Sequence, residues 1–220
     1  MRLRNIPRAR QVLEESAVVI KNTEESKGKW GQVFGNDNPI FIEIGMGKGQ
    51  FITTMAQQNP DINYVGIERY TSVLLRGVEK LNEDANECPS NLRLICMDAR
   101  NLRDAFGPWE VSKIYLNFSD PWPKAKHRRR RLTSAEFLGV YHQVLKPEGQ
   151  IEFKTDNREL FDFSLEEVRL SEYYQLVEYT YDLHHDDGLV KGNVMTEYEE
   201  KFSAMGNPIC KLICRHTFSS

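Results

Sequence analysis

The residues Glu43-Ile44-Gly45-Met46-Gly47-Lys48-Gly49 set a carboxylate and three alternating glycines at the end of the apolar run Ile40 to Ile44. Glycines placed there let the backbone approach a ligand closely and take dihedrals that a side chain forbids. A dinucleotide fingerprint would need its third glycine at position 50, where this chain has Gln50. Glu68 and Asp98 each follow a further apolar run. One such acid reads as a solvated strand end, whereas three in succession beside a glycine turn read as a binding site. A second cluster begins at Asn117 and runs through Asp120-Pro121-Trp122-Pro123-Lys124 to Lys126, His127, Arg128, Arg129, Arg130 and Arg131. Two prolines stiffen this stretch, and Trp122 offers either a flat face for a base or an anchor for the core. The cations suit phosphates.

The elements that must position these groups alternate strand and helix. Strands are predicted at Ile40 to Ile44, Asn63 to Ile67, Leu92 to Met97, Val111 to Phe118 and Gln150 to Lys154. Between them the pattern gives helices at Phe51 to Gln58, at Thr71 to Ala85 with Leu74, Val78 and Leu81 on one face, and at Thr133 to about Val144. Thr133 and Glu136 have the spacing of a capping box, and Pro147 and Gly149 stop that helix. An amphipathic helix follows at Glu159 to Leu170, then β-rich stretches at Gln175 to Tyr181 and Ile209 to Phe218, joined by a polar connection with no convincing helix. The fold class is α/β, a doubly wound, mostly parallel sheet ending in an antiparallel pair.

Composition narrows the classes. The chain has 220 residues, 40% apolar and 28% charged, room for one sizeable core and ordinary for a globular protein. Residues 1–35 read as a basic N-terminal extension and 36–220 as a single domain. No run approaches the length of a membrane span and no apolar signal core is present, so the expectation is a cytoplasmic protein with no membrane partner. Cys88, Cys96, Cys210 and Cys214 lack paired spacing and read as reduced thiols. His184-His185-Asp186-Asp187 cannot easily converge on one ion, and no metal is expected. His127 reads as part of the phosphate-binding loop, and His142 and His216 as structural. The formal net charge is −3, yet Arg2, Arg4, Arg8 and Arg10, with Lys124, Lys126 and Arg128 to Arg131, concentrate ten cations in two patches. An acidic body with two basic patches holds something anionic locally.

The Glu43-x-Gly45-x-Gly47-x-Gly49 turn resembles the first motif of class I methyltransferases. That resemblance implies S-adenosylmethionine as cofactor, with Glu68 accepting from ribose hydroxyls and Asp98 beside the adenine. Asp120 to Arg131 (DPWPKAKHRRRR), with Phe153 to Asn157 (FKTDN) and Thr196 to Glu199, is similar to the bacterial tRNA (guanine-N7-)-methyltransferase family over nearly the whole chain from about Ile40. The family more often has proline where this chain has Ser119.

The family implies a Rossmann-like class I methyltransferase fold with a seven-stranded sheet, a methyltransferase domain at 36–220, and methylation of a guanosine in the tRNA variable loop. It implies cofactor contacts at Glu43, Gly45, Gly47, Gly49, Glu68, Asp98 and Asp120, with Asp120 catalytic. Lys124, Asp156, Thr196, Glu197, Tyr198 and Glu199 would meet the substrate nucleotide, and Lys126 to Arg131 the RNA backbone. The family includes monomers and homodimers. Two other readings stay open: a methyltransferase for exocyclic amines of RNA or DNA, and a non-catalytic RNA-binding subunit.

Overall fold

The computed structural model describes residues 6–83 and 88–217. Arg2, Arg4, the last two positions of the helix expected at Thr71 to Ala85, and Phe218 lie outside the described residues. The elements in chain order are α1 (Ala9–Glu15), β1 (Val19–Ile20), α2 (Thr23–Ser26), α3 (Trp30–Phe34), β2 (Ile40–Ile44), α4 (Gln50–Gln58), β3 (Asn63–Glu68), α5 (Thr71–Glu83) and β4 (Leu92–Cys96). They continue with α6 (Leu102–Ala105), β5 (Val111–Asn117), α7 (Ala135–His142), β6 (Leu145–Thr155), α8 (Arg158–Leu170), β7 (Tyr174–Thr180), α9 (Glu197–Ser203) and β8 (Cys210–His216). Short 3-10 turns sit at Ala99–Asn101, Ala125–Arg130 and Leu183–His185.

The strands form one sheet in the order β1-β4-β3-β2-β5-β6-β8-β7. The first six in that order run parallel, while β8 is antiparallel to both β6 and β7. The expected seven strands are present with an eighth, β1, at the edge. Two residues are too few for any periodicity to reveal, and they come from the stretch read as a basic extension. The chain leaves β2 toward β3 and β4 on one side, then returns to lay β5 and β6 on the other. Above the carboxyl ends of β2 and β5 the connections diverge, which is where open α/β sheets bind ligands.

Parallel strands are covered on both faces, so each helix must bury a stripe. On α5 that stripe includes Leu74 and Val78, both fully buried, each contributing roughly 1.5–3 kcal/mol. Trp30 of α3 packs against Phe106 with ring centroids 5.0 Å apart, and its indole N–H donates to the Ala105 carbonyl at 2.9 Å. Cys210 and Cys214 are both buried in β8 and join the main core.

Two local expectations change. Helix α7 begins one residue later than a cap at Thr133 requires: its N-cap is Ser134, while the Thr133 hydroxyl is 2.6 Å from that of Ser164 on α8. The Glu167 carboxylate of α8 accepts from the Ala135 N–H. The capping acceptor thus comes from tertiary packing, and the box does not form. Strand β6 starts at Leu145, and Pro147 to Gly149 are a bulge within it, with Val111 opposite Leu145 and Lys113 opposite Gln150.

Candidate functional site

The glycine turn after β2 is left-handed at Gly45 (φ 78°), Gly47 (φ 60°) and Gly49 (φ 80°). A Cβ on Gly45 or Gly47 would point into open space, so these glycines serve backbone conformation and leave a bare cradle above the turn. Gly66 on β3 was not singled out from the sequence, yet it permits this placement. A Cβ there would sit 2.4 Å from Met46 Sδ, so the turn could not settle against the strand.

Glu43, the penultimate residue of β2, is 2% exposed. Its Oε1 accepts from Asn117 Nδ2 at 2.9 Å, and its buried Oε2 has no partner among the described residues. Burial pushes its carboxyl up to about 7, against the opposing help of Asn117 and the Lys154 charge. Glu68, at the end of β3, accepts from Gly47 N–H (3.2 Å) and Tyr70 N–H (3.0 Å), so it ties the glycine turn to the start of α5. Burial raises its carboxyl too, and the nearby Asp120 charge adds to the rise. Asp98 caps the 3-10 turn that follows β4, accepting from Arg100 N–H at 3.0 Å, and is also approached by the guanidinium groups of Arg100 (3.1 Å) and Arg69 (3.6 Å).

A cleft of about 450 Å³ opens over these strand ends, lined by Gly45, Glu68, Asp98, Asp120, Trp122 and Arg130, with Tyr70, Phe137 and Ser119 among their neighbours. A smaller hollow of about 190 Å³ adjoins it, between the glycine turn, Glu43, Asn117 and the start of α9. The structure therefore brings Glu43, Gly45, Gly47, Gly49, Glu68, Asp98 and Asp120 to one edge of the sheet.

The loop after β5 is strained, with positive φ at Phe118 (50°) and Trp122 (41°). Asp120 is exposed and has no hydrogen bond or ion pair among the described residues. Trp122 is half-buried, with the Arg130 guanidinium 4.9 Å from its ring centroid and His127 edge-on at 5.6 Å. The cation run divides in two. Lys124, Lys126, Arg128, Arg129 and Arg130 are exposed. Arg131 instead turns inward, donating to the Pro121 carbonyl (2.9 Å) and the Trp122 carbonyl (3.3 Å) with its guanidinium 4.4 Å from the Phe163 ring centroid.

The polar connection expected to lack a helix contains α9, which crosses the glycine turn. Thr196 is its N-cap and accepts from Glu199 N–H at 3.0 Å. Glu197 pairs with Lys80 of α5 (2.9 Å) and Lys48 of the turn (3.3 Å), and the Lys80 hydrogen bond leads the causes that lower its carboxyl pKa. Tyr198 donates to Asp156 at 3.3 Å and packs 4.9 Å from the Phe118 ring. Glu199 is fully buried, held by Lys154 Nζ (2.5 Å) and Asn193 Nδ2 (2.8 Å), so its side chain does not line either opening. Lys80 was not picked out from the sequence, and Lys48, Asn117 and Lys154 lay inside quoted segments without a role of their own. The legible signal for Lys154 was a lone cation inside a central strand, where both faces are covered and a charge must be paired. For α9 it was the capping spacing of Thr196 and Glu199.

Residues 37–212 match the model of a family described as putative methyltransferases. The chain is 59% identical over 213 residues to the tRNA (guanine-N(7)-)-methyltransferase of Lachnoclostridium phytofermentans, spanning 97% of each chain. It is 53% identical over 211 residues to the enzyme of that name from Bacillus subtilis, spanning 95% of this chain and 96% of the relative. Among solved structures it is similar to the 16S rRNA methyltransferase KamB, with a TM-score of 0.64 and 16% identity over 88% of this chain and 94% of the other. It also resembles a variant of a 16S rRNA (adenine(1408)-N(1))-methyltransferase from Catenulisporales acidiphilia solved with its cosubstrate SAM, with a TM-score of 0.62 and 13% identity over 88% and 92% of the two chains. At such identities the structural likeness speaks for the fold. The sequence relatives speak for more, and the chain belongs to the bacterial tRNA (guanine-N7-)-methyltransferase family.

Proposed function

We propose that this chain transfers the methyl group of S-adenosylmethionine to N7 of a guanosine in the variable loop of tRNA. The observation that carries the proposal is one edge of the sheet where three acids and a glycine cradle meet a loop holding a carboxylate, an aromatic face and exposed cations. The residues fit the cofactor. The orphaned Glu43 Oε2 beside the cradle is an acceptor waiting for a cationic donor, as the methionine ammonium would be. Glu68 keeps acceptor capacity for ribose hydroxyls, since each of its oxygens accepts one main-chain hydrogen bond and can take more. Asp98 borders the same cleft where the adenine would lie.

When bound, S-adenosylmethionine supplies an electrophilic methyl group on a sulfonium. Guanine N7 already carries a lone pair, so this chain need not remove a proton from it. Methylation leaves positive charge on the purine, and Asp120, exposed and without a protein partner, places a negative charge at the cleft to offset it and to orient the base. Trp122 supplies a stacking face, with Arg130 beside it. Tyr198 and Thr196 at the smaller hollow, Asp156 bonded to Tyr198, and the exposed Lys124 serve the substrate nucleotide. Lys126, Arg128 and Arg129 take the phosphates. His127 packs against Trp122 and supports the loop, as Arg131 does from beneath.

No helix among the described residues is long and apolar enough to cross a membrane. A tRNA substrate carries with it a cytoplasmic location for the chain. Incubating the protein with unmodified tRNA and labelled cofactor, then identifying the nucleoside by mass spectrometry, tests the whole reading. Label in N7-methylguanosine is the expected result; label on an exocyclic amine would move the chain to another reaction, and no label would make it a binding subunit.

A further inference from the structure

Lys154 is 3% exposed at the carboxyl end of β6. Its ammonium has three donors, and all three are met by one segment: Glu199 Oε2 at 2.5 Å, Asn193 Oδ1 at 3.1 Å and the Val194 carbonyl at 3.0 Å. The ring centroid of Phe51, in the first turn of α4, lies 5.2 Å from the same nitrogen. Apolar residues of similar volume would often serve stability as well or better than a buried ion pair, so the charges here call for another use. The charged groups facing Lys154 come from three elements: Glu199 on α9, Lys211 on β8 and Glu43 on β2. His184 Nε2 also approaches Glu199, at 3.4 Å. Glu43 in turn is faced by Lys154, by Glu68 on β3 and by the Tyr115 phenol on β5, and is bonded to Asn117.

We propose that Lys154 is a positioning residue for methyl transfer, one ammonium that clamps α9 across the glycine turn and holds Glu43 in the carboxylate form that receives the cofactor. The proposal rests on the S-adenosylmethionine reading above. Its physical basis is that burial alone would keep Glu43 protonated at neutral pH, where a carboxylic acid O–H cannot accept from an ammonium as a carboxylate does. Asn117 lies opposite Lys154 across β5 and β6 and donates to Glu43 at 2.9 Å, so the three side chains share neighbouring strand tips, and the Asn117 hydrogen bond and the Lys154 charge together oppose the rise that burial imposes on Glu43. Because that cation is also the anchor of Glu199, a displaced α9 and a protonated Glu43 accompany each other. Substrate side and cofactor side are thereby joined through a single side chain.

Lys154→Met alone would strand the buried Glu199 charge and risk unfolding, so the working variant is Lys154→Met with Glu199→Gln. Two quantities are measured on the full chain: S-adenosylmethionine affinity by calorimetry across neutral and mildly alkaline pH, and amide exchange over Glu197–Ser203 without the cofactor. In the unsubstituted chain affinity should weaken as pH falls through the Glu43 transition. In the double variant the midpoint should move alkaline by about one unit, with affinity about fivefold weaker at neutral pH and largely restored in alkali, and exchange in α9 should quicken about tenfold or more. An unchanged midpoint, or a loss of affinity equal at every pH, overturns the proposal. So does unchanged exchange in α9. If the unsubstituted chain binds no S-adenosylmethionine at any pH, the cofactor reading falls first and takes this proposal with it.

Discussion

The tips of β2 to β4 and the tips of β5 and β6 meet at one cleft but are built differently. On the first side two of the three acids are fastened by the backbone: Glu68 accepts from two main-chain N–H groups and Asp98 from one. On the second side Asp120 has no hydrogen-bond or ion-pair partner among the described residues, the loop around it is strained at Phe118 and Trp122, and α9 is held by side-chain ion pairs. The difference teaches that a ligand common to every turnover can be met by a rigid, prepaid cradle. A bulky polymer that must enter and leave is met by groups that can part.

The contrast can be broken at four points. The largest effect is expected for Asp120→Ala, roughly 3–4 kcal/mol in the transition state, or about a hundredfold to thousandfold in single-turnover rate. Near-normal turnover would remove Asp120 from the chemistry. Glu68→Ala should weaken cofactor binding by roughly ten to a hundredfold while tRNA affinity stays level; equal losses in both would erase the division between the two sides.

Glu43→Gln separates function from stability. Its folded-state pKa lies above the unfolded one, so the group's contribution is fully present below about 4.5 and is lost as pH rises through about 7. In the cofactor-free protein at alkaline pH, Gln should therefore be the more stable residue by on the order of 1–3 kcal/mol, with no gain near pH 4, as denaturant midpoints would report. A less stable variant in alkali would contradict the burial argument. The smallest effects belong to the basic turn. Joint replacement of Arg128 and Arg129 by Ala should lower RNA affinity several-fold and flatten its salt dependence, whereas Arg131→Ala should leave the slope alone and lower the melting temperature through the freed Pro121–Trp122 loop. Equal slopes for the two variants would show that Arg131 also reaches phosphate.

Most of the sheet was legible because central parallel strands are continuous apolar runs and α5 and α8 bury regular stripes. What escaped had no periodicity to read. Strand β1 is two residues long, and α9 carries Glu197, Glu199, Glu200 and Lys201 around a single i, i+4 aromatic pair, Tyr198 and Phe202. The capping spacing misled at Thr133, where α8 supplies the partners, and was overlooked at Thr196, where it is real. At the site the residue types were visible but their directions were not. Arg131 and Glu199 look like their neighbours in the sequence, and only the fold turns their side chains inward.

The shortest strand has a consequence out of proportion to its length. Val19 and Ile20 lie along Leu94 and Ile95, and the Val18 carbonyl takes the Leu94 N–H at 2.9 Å, so the outward amides of β4 are already engaged. A sheet with a bare flank is an invitation to fibrils. Here a scrap of chain ahead of the catalytic core acts as selvedge, keeping the weave from catching on another molecule of its own kind.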